Sequence, residues 1–492
     1  MVRKKRKKER RGSPMSNFST KDALTDALCD FFYDDLTKTE DFSIFESIVA
    51  GDMDRLRADA FRKCLERFDC ELCKNIPRNW KKHEHAKRKI ITLLGVVTFK
   101  RTIFLDEYGR HRALLDELLG IPARSRLSPC AFIWIATKAS ELSYRKTAFD
   151  FEKFTNTSIS HITVMNVVHK EGELLKKSGA EFMRDGKQKI SQDTLFLESD
   201  GLWVHTQTEK HRSKALPRFL YEQARKTVSF ELKIAALYAG KKEVSPGRFV
   251  RGGLCLTCLD DTTDNFWERV WKMLCENYDQ DDLYHLNVGA DGASWCGSER
   301  IENKVSAKCK VEFTLDLFHI MQKLVKAFPD EESSEQQLAI NLLMRGRAHE
   351  LVSMCKHTLD KMPSNKTKRK VKDLYVYLNS HINSIRKPTH TMGTMKGTNA
   401  HVGAARLKGH GRSWSRRGAE AMCLIRCALL TGRKLIAPSA SSWFSKKELE
   451  AKEKALPKSA TDIPKTTGSG YEPPHFAAPL PKRVNISLKC NG

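Results

Sequence analysis

The sequence predicts an α/β protein, α+β when the whole chain is counted, and three observations carry that expectation. Short runs at 194–204, 228–238 and 249–258 interleave Val, Ile, Leu and Phe with polar residues, as half-buried strands do. A helical run with Trp267, Val270, Trp271 and Leu274 then precedes a fourth apolar run that ends at Asp291. The flanking stretches 16–88, 126–178 and 331–388 read as helices. Three strands, a helix, a fourth strand and further helices is the order of an RNase H-like fold.

The elements follow in chain order. Residues 1–15 form a basic arm; the first thirteen carry eight basic side chains and one acid, a pattern that is disordered in isolation and suits nucleic acid. Residues 16–125 make a helical and β-hairpin region, with the hairpin at 89–106 around Gly95. Residues 126–190 are helix-turn-helix-like: Tyr144–Phe154 is followed by the polar Thr155-Asn156-Thr157, and Ser160 is placed to cap the next helix. An ordinary helical hairpin has the same spacing. Residues 191–436 form the strand-helix domain, interrupted by an all-α insertion at about 331–388. From 437 to 492 the chain is rich in Ser, Pro and Lys without periodicity and reads as a flexible tail.

Composition narrows the partners. The chain has 492 residues, a formal charge of +26 and 14 cysteines. A basic excess of this size favours a polyanion, most simply nucleic acid. Membrane association is not expected, because the longest apolar stretches, such as 131–136, are far too short to span a bilayer. No secretory signal is expected either, so the cysteines read as reduced cytosolic thiols.

Two Asp-Gly pairs carry the chemistry. Leu195-Phe-Leu-Glu-Ser-Asp200-Gly201 and Leu286-Asn-Val-Gly-Ala-Asp291-Gly292 each place a carboxylate after an apolar run, expected as a strand end with glycine turning the chain away. Most Asp-Gly pairs are hairpin turns. Here both fall on the first and fourth strands, where an RNase H-like fold holds its acids. Two carboxylates so placed suit divalent metals beside a phosphate.

Several blocks resemble the ISLre-type insertion-sequence transposases, relatives of the Mutator-like DDE enzymes. They are Glu198-Ser-Asp-Gly-Leu-Trp-Val204, Gly289-Ala-Asp-Gly-Ala-Ser-Trp295, Leu315-Asp-Leu-Phe-His319, Gly393-Thr-Met-Lys-Gly-Thr-Asn-Ala-His401 and Arg412-Ser-Trp-Ser-Arg-Arg-Gly-Ala419, with 92–95, 114–120 and 142–145 upstream. The similarity runs from about 85 to 430. It implies a cytoplasmic, nucleoid-associated DDE nucleotidyl transferase using two Mg²⁺ (or Mn²⁺) ions to cut and join double-stranded DNA, working as a homo-oligomer. By this match Asp200 and Asp291 are metal ligands, and Asp316 and His319 lie near the site, orienting DNA phosphate or the second acid. Relatives carry Glu where this chain has Lys396. An ammonium cannot ligate Mg²⁺, and like charges about 4 Å apart cost about 4 kcal/mol at an effective dielectric near 20. The expectation is therefore weak or absent cleavage, with Lys396 on a helix facing the acid pair and Glu420 the nearest downstream acid.

The run 406–417 contributes Arg406, Lys408, Arg412, Trp414, Arg416 and Arg417 with no acid, and is expected to hold a DNA strand by phosphate contact and stacking. Cys70, Cys73, His83 and His85 have metal-ligand residue types but not the spacing of a common zinc finger. Cys255 and Cys258 should point to opposite faces of a strand. Besides the transposase, a non-catalytic DNA-binding derivative and an RNase H-like nuclease or resolvase stay open; inverted repeats around the gene would separate the first two.

Overall fold

The structure is a computed structural model that describes residues 20–183, 188–206, 229–297, 299–330, 333–363, 366–387, 392–409 and 412–438. The basic arm and the tail beyond 438 lie outside these residues.

Helix α1 (Thr20–Leu36) leads to α2 (Phe42–Leu72), whose first amides are capped by Asp41. The last turns of α2 bury Leu65, Asp69 and Leu72 against a three-stranded antiparallel sheet of β1 (Lys81–Thr92), β2 (Gly95–Leu105) and β3 (His111–Arg112). Asp69 accepts from the Thr102 amide at 2.9 Å and its hydroxyl at 2.7 Å. The helical expectation through residue 88 is corrected: the helix stops at Leu72 and β1 starts at Lys81. The basic half of β1 has no apolar face to announce it. It becomes a strand because β2 supplies partners along its length, Lys81 opposite Leu105 and Thr92 opposite Gly95.

After the short α3 (Leu114–Leu118), helices α4 (Pro129–Ala139), α5 (Tyr144–Thr155) and α6 (His161–Ser178) each begin at a serine. Ser128, Ser143 and Ser160 accept from the amides of Ala131, Lys146 and Thr163 at 3.1–3.2 Å. The inner face of α6 is buried at Val164, Val167, Val168 and Leu175, while His161, Asn166, Lys170 and Lys177 are exposed.

The central sheet has β4 (Thr194–His205), β5 (Ser229–Tyr238), β8 (Cys255–Leu259), β9 (His285–Ala290) and β10 (Lys310–Leu315), in the order β10-β9-β4-β5-β8. β4, β5 and β8 are successively antiparallel; β9 runs parallel to β4 and β10 parallel to β9. The expected strand at 249–258 is two pieces. Arg248–Arg251 (β7) pairs with Lys241–Ser245 (β6) in a side hairpin, the chain turns at Gly253 with φ of +62°, and β8 then joins the sheet.

Alternation along the strands gives the sheet two apolar faces. One, with Leu202, Val204, Leu232, Ile234 and Cys258, packs on α4–α6 and on the last helix; the other, with Leu195, Leu197, Leu237 and Cys255, packs on α7 (Thr263–Asn277). Cys255 and Cys258 thus face opposite ways. The short α8 (Glu299–Glu302) precedes β10. Four helices, α9 (Leu317–Ala327), α10 (Ser334–Met344), α11 (Ala348–Lys361) and α12 (Lys366–Ser380), share a separate core around Leu324, Leu343, Leu351 and Leu374. The chain returns through α13 (Met395–Asn399), a π turn, α14 (Ala405–Leu407) and α15 (Arg416–Leu430). α15 crosses α6 where a Cβ on Gly172 would lie 2.3 Å from Ala421 Cβ, so only glycine permits that approach. No helix among the described residues is long and apolar enough to cross a membrane.

Candidate functional site

The site forms where β4, β9 and β10 lie side by side. Asp200 is inside β4, not at its end: the strand continues through Gly201 to His205, with Gly201 opposite Lys233. The expected turn there is corrected, because Leu202 and Val204 keep the buried alternation and hold the chain in the sheet. Asp291 does follow the last residue of its strand, and Gly292 turns away with φ of +83°, its missing Cβ leaving room for His381. Glu198 is opposite Gly289 in the parallel pair, so Asp200 and Asp291, each two residues on, project from the same face.

Asp316 follows β10 and caps α9, its Oδ1 accepting from the Phe318 amide at 3.2 Å; its Oδ2 accepts from His319 Nδ1 at 2.7 Å. One oxygen each of Asp200 and Asp291 and one ring nitrogen of His319 lie within 4.8 Å of one another. Among the described residues this is the one cluster of three or more such groups able to hold a metal ion. It opens into a cavity lined also by Glu198, Leu315, Phe318, Met392 and Met395.

Burial pushes the Asp200 carboxyl up to about 6, with the nearby His319 opposing and Asp291 and Asp316 adding to the rise. The hydrogen bond to Asp316 raises the His319 imidazole above its ordinary value, partly offset by burial. A divalent cation between them would relieve the crowding of Asp200, Asp291 and Asp316.

Lys396 is on α13, but its exposed ammonium lies 4.0 Å from the centroid of the Phe318 ring, not against the acid pair. The residue of α13 that reaches Asp200 is Asn399, whose Nδ2 donates to Asp200 Oδ2 at 2.6 Å. Its Oδ1 is buried without a protein partner. Sequence reasoning missed Asn399, three residues past Lys396 and so one turn along the same helix. It also gave no role to Glu198. That buried carboxylate accepts from Tyr238 (2.5 Å), from the amides of Gly393 (2.8 Å) and Thr394 (2.9 Å), and from the Thr394 hydroxyl (2.6 Å). Arg251 donates to the hydroxyls of Thr394 (3.1 Å) and Thr398 (2.9 Å), and Lys241 to Met392 O (3.0 Å). The side hairpin and Glu198 together tie α13 to the sheet. Position 198 shares a strand face with Asp200, which was the available signal.

The stacking role expected of Arg406 and Trp414 is corrected. Glu420 is away from the pair, bonded to Lys176 Nζ at 3.0 Å and to the Asp260 amide at 2.8 Å. Arg406 is buried, donating to Ala139 O and Leu142 O and stacking on Trp414 and Tyr144. Trp414 is buried too, its amide bonded to His205 O (2.9 Å) and its indole to Leu407 O (3.1 Å). Arg406 locks α14 to the end of α4, Trp414 locks it to the end of β4, and neither is free to stack on DNA. Arg416 pairs with Asp260 and Arg417 with Glu173, while Lys408 and Arg412 stay exposed. Cys70 is exposed, and Cys73 Sγ bonds to Thr102 Oγ1 at 3.2 Å.

Fold and site together define a mixed α/β protein with two carboxylates from the sheet and an imidazole from a helix gathered at one cavity. The chain belongs to the uncharacterised protein family UPF0236, whose model matches residues 37–445. It is similar to a UPF0236 protein of the vanSb 3′ region in Streptococcus gallolyticus, 23% identical over 409 residues, covering 81% of this chain and 85% of that one. A UPF0236 protein of Caldanaerobacter subterraneus subsp. tengcongensis, whose name joins eleven locus designations, is 24% identical over 407 residues (81% of this chain, 79% of that one). Among solved structures, the Drosophila P element transposase strand transfer complex aligns over 67% of this chain and 86% of its own, at 10% identity and a TM-score of 0.23.

Proposed function

We propose that this protein is a DDE-class transposase of the ISLre type, with an RNase H-like catalytic domain acting on the ends of its own insertion sequence. The observation that carries the reading is the placement of Asp200 and Asp291 on one face of neighbouring parallel strands, close enough to share a cation. The strand order, three antiparallel strands followed by two parallel ones, is the order of an RNase H-like sheet. A family relative named for eleven loci of one strain fits a mobile element.

The residues present fit a divalent metal, with two carboxylates and an imidazole around one cavity and Asn399 bonded to Asp200 beside them. Mg²⁺ or Mn²⁺ held by Asp200 and Asp291 would supply a water activated for attack on DNA phosphate and neutralise charge on the leaving oxygen. The protein's own contribution is to fix the two carboxylates through the sheet, orient His319 through Asp316, and position α13 through Glu198. DNA would be held by exposed basic side chains, among them Lys408, Arg412 and those on the outer faces of α6 and α12, in an assembly of two or more copies that brings two ends together. Incubating the protein with a supercoiled plasmid carrying the sequences that flank its gene, in Mg²⁺ or Mn²⁺, tests the reading. Nicking at the element ends, weak in the parent and stronger in Lys396→Glu, that Asp200→Asn abolishes is the expected signature; nicking unchanged by Asp200→Asn would refute it.

A non-catalytic DNA-binding protein of the same descent is the second reading, favoured by the ammonium at position 396. It predicts binding to the same ends with no nicking in either metal, before or after Lys396→Glu. Inverted repeats and short target duplications around the gene favour the enzyme; their absence favours the binder.

A further inference from the structure

Given Asp200 and Asp291 as metal-holding carboxylates, the reading on which this inference rests, we propose that His319 is the third protein ligand of the cation, oriented by Asp316, and that this tunes the site toward Mn²⁺ over Mg²⁺. The ring nitrogen completes a set whose ligand atoms are all within 4.8 Å of one another, a spacing one ion can span. Nδ1 is already engaged by Asp316 Oδ2 at 2.7 Å, which leaves Nε2 as the donor for a metal. Asp316 is itself held, because its other oxygen caps α9 at the Phe318 amide. A carboxylate fixing one nitrogen of an imidazole so that the other faces a metal is the usual outer-shell arrangement of histidine ligands.

Two further observations show why the histidine is needed. The helix that would bring a third carboxylate brings Lys396 instead, and that ammonium lies over Phe318, next in sequence to His319. The same helix aims a neutral amide at the site: Asn399 is 8% exposed, donates to Asp200, and has an oxygen with no protein partner. The protein donor set is then two carboxylate oxygens and one imidazole. An all-oxygen set suits Mg²⁺, whereas a transition ion such as Mn²⁺ accepts an imidazole nitrogen more readily than Mg²⁺ does. One negative charge fewer than a three-carboxylate site also weakens the hold on Mg²⁺, which has little covalent bonding to compensate.

The test uses the full-length protein, free of any histidine tag, loaded with Mn²⁺ and studied by titration and by pulsed EPR. The expected results are Mn²⁺ binding at least tenfold tighter than Mg²⁺ and a directly bound nitrogen in the EPR spectrum. His319→Ala and His319→Gln should both lose that nitrogen signal and weaken Mn²⁺ at least tenfold, with Mg²⁺ affected less. Asp316→Asn, a positioning change, should keep the nitrogen signal while weakening Mn²⁺ by about 10–100-fold. Mn²⁺ bound with no nitrogen coupling, or with coupling that survives both His319 variants, would overturn the ligand assignment and leave the carboxylate site standing. No specific Mn²⁺ binding, or binding unchanged in Asp200→Asn, would overturn the underlying site as well.

Discussion

Lys396 is the residue at which sequence and structure diverge most usefully. The resemblance puts it in the place of an acid, and charge alone argues that it should repel a metal. In the structure it avoids that conflict by lying over Phe318 at the rim. Lys396→Glu should raise metal affinity and metal-dependent nicking, by at least tenfold if the new carboxylate turns inward. Titration of Mn²⁺ into both proteins reads the first effect, and no change in either quantity would remove position 396 from the site. Glu171 gives a pH prediction away from the site. It is fully buried and held at about 7 by desolvation, although it accepts from the Ile436 amide at 2.8 Å. A carboxyl raised in the folded state costs nothing below its ordinary value near 4.5. The cost grows as pH rises toward 7 and is then constant, approaching roughly 3 kcal/mol. Glu171→Gln should therefore gain stability relative to the parent between pH 5 and pH 8. Urea melts at both values check this; a difference independent of pH would contradict it.

At the scale of elements, apolar alternation made β4, β5, β9 and the capped helices legible, and the Asp-Gly pairs marked both carboxylates. What stayed hidden was set by tertiary partners. β1 is a basic strand recruited by β2, and β7 leaves the sheet at a glycine turn the sequence did not separate from β8. Glu198 and Asn399 gain their roles from segments about 200 residues away. The segment 406–417 shows the same limit from the other side. Its composition suits a DNA surface, yet Arg406 and Trp414 are internal. Trp414→Ala should cost about 3–5 kcal/mol of stability, as loss of a buried aromatic does. Lys408→Ala should leave stability within about 0.5 kcal/mol and weaken DNA binding. Thermal melts and DNA titrations on the two variants separate these effects; the reverse pattern would return Trp414 to the DNA-contacting surface.

For the whole molecule, a net charge of +26 and a carboxylate site make complementary demands, one for a polyanion and one for a cation that bridges protein to phosphate. Exposed Arg369, Lys370 and Lys372 on α12 add to the basic surface. Binding to duplex DNA should occur without added metal and fall by more than tenfold between about 50 and 200 mM salt, because phosphate contacts release counterions. A smaller loss would count against an interface with several phosphate contacts. In the proposed reaction Asp200 and Asp291 act together on DNA phosphate through a shared cation. Its most direct test is Mn²⁺-dependent nicking of DNA carrying the element ends by the parent protein, Asp200→Asn, Asp291→Asn and the double variant, with DNA binding measured alongside. Each single variant should abolish nicking while keeping DNA affinity, and the double variant should be no worse. Nicking that survives either single change would contradict that reaction.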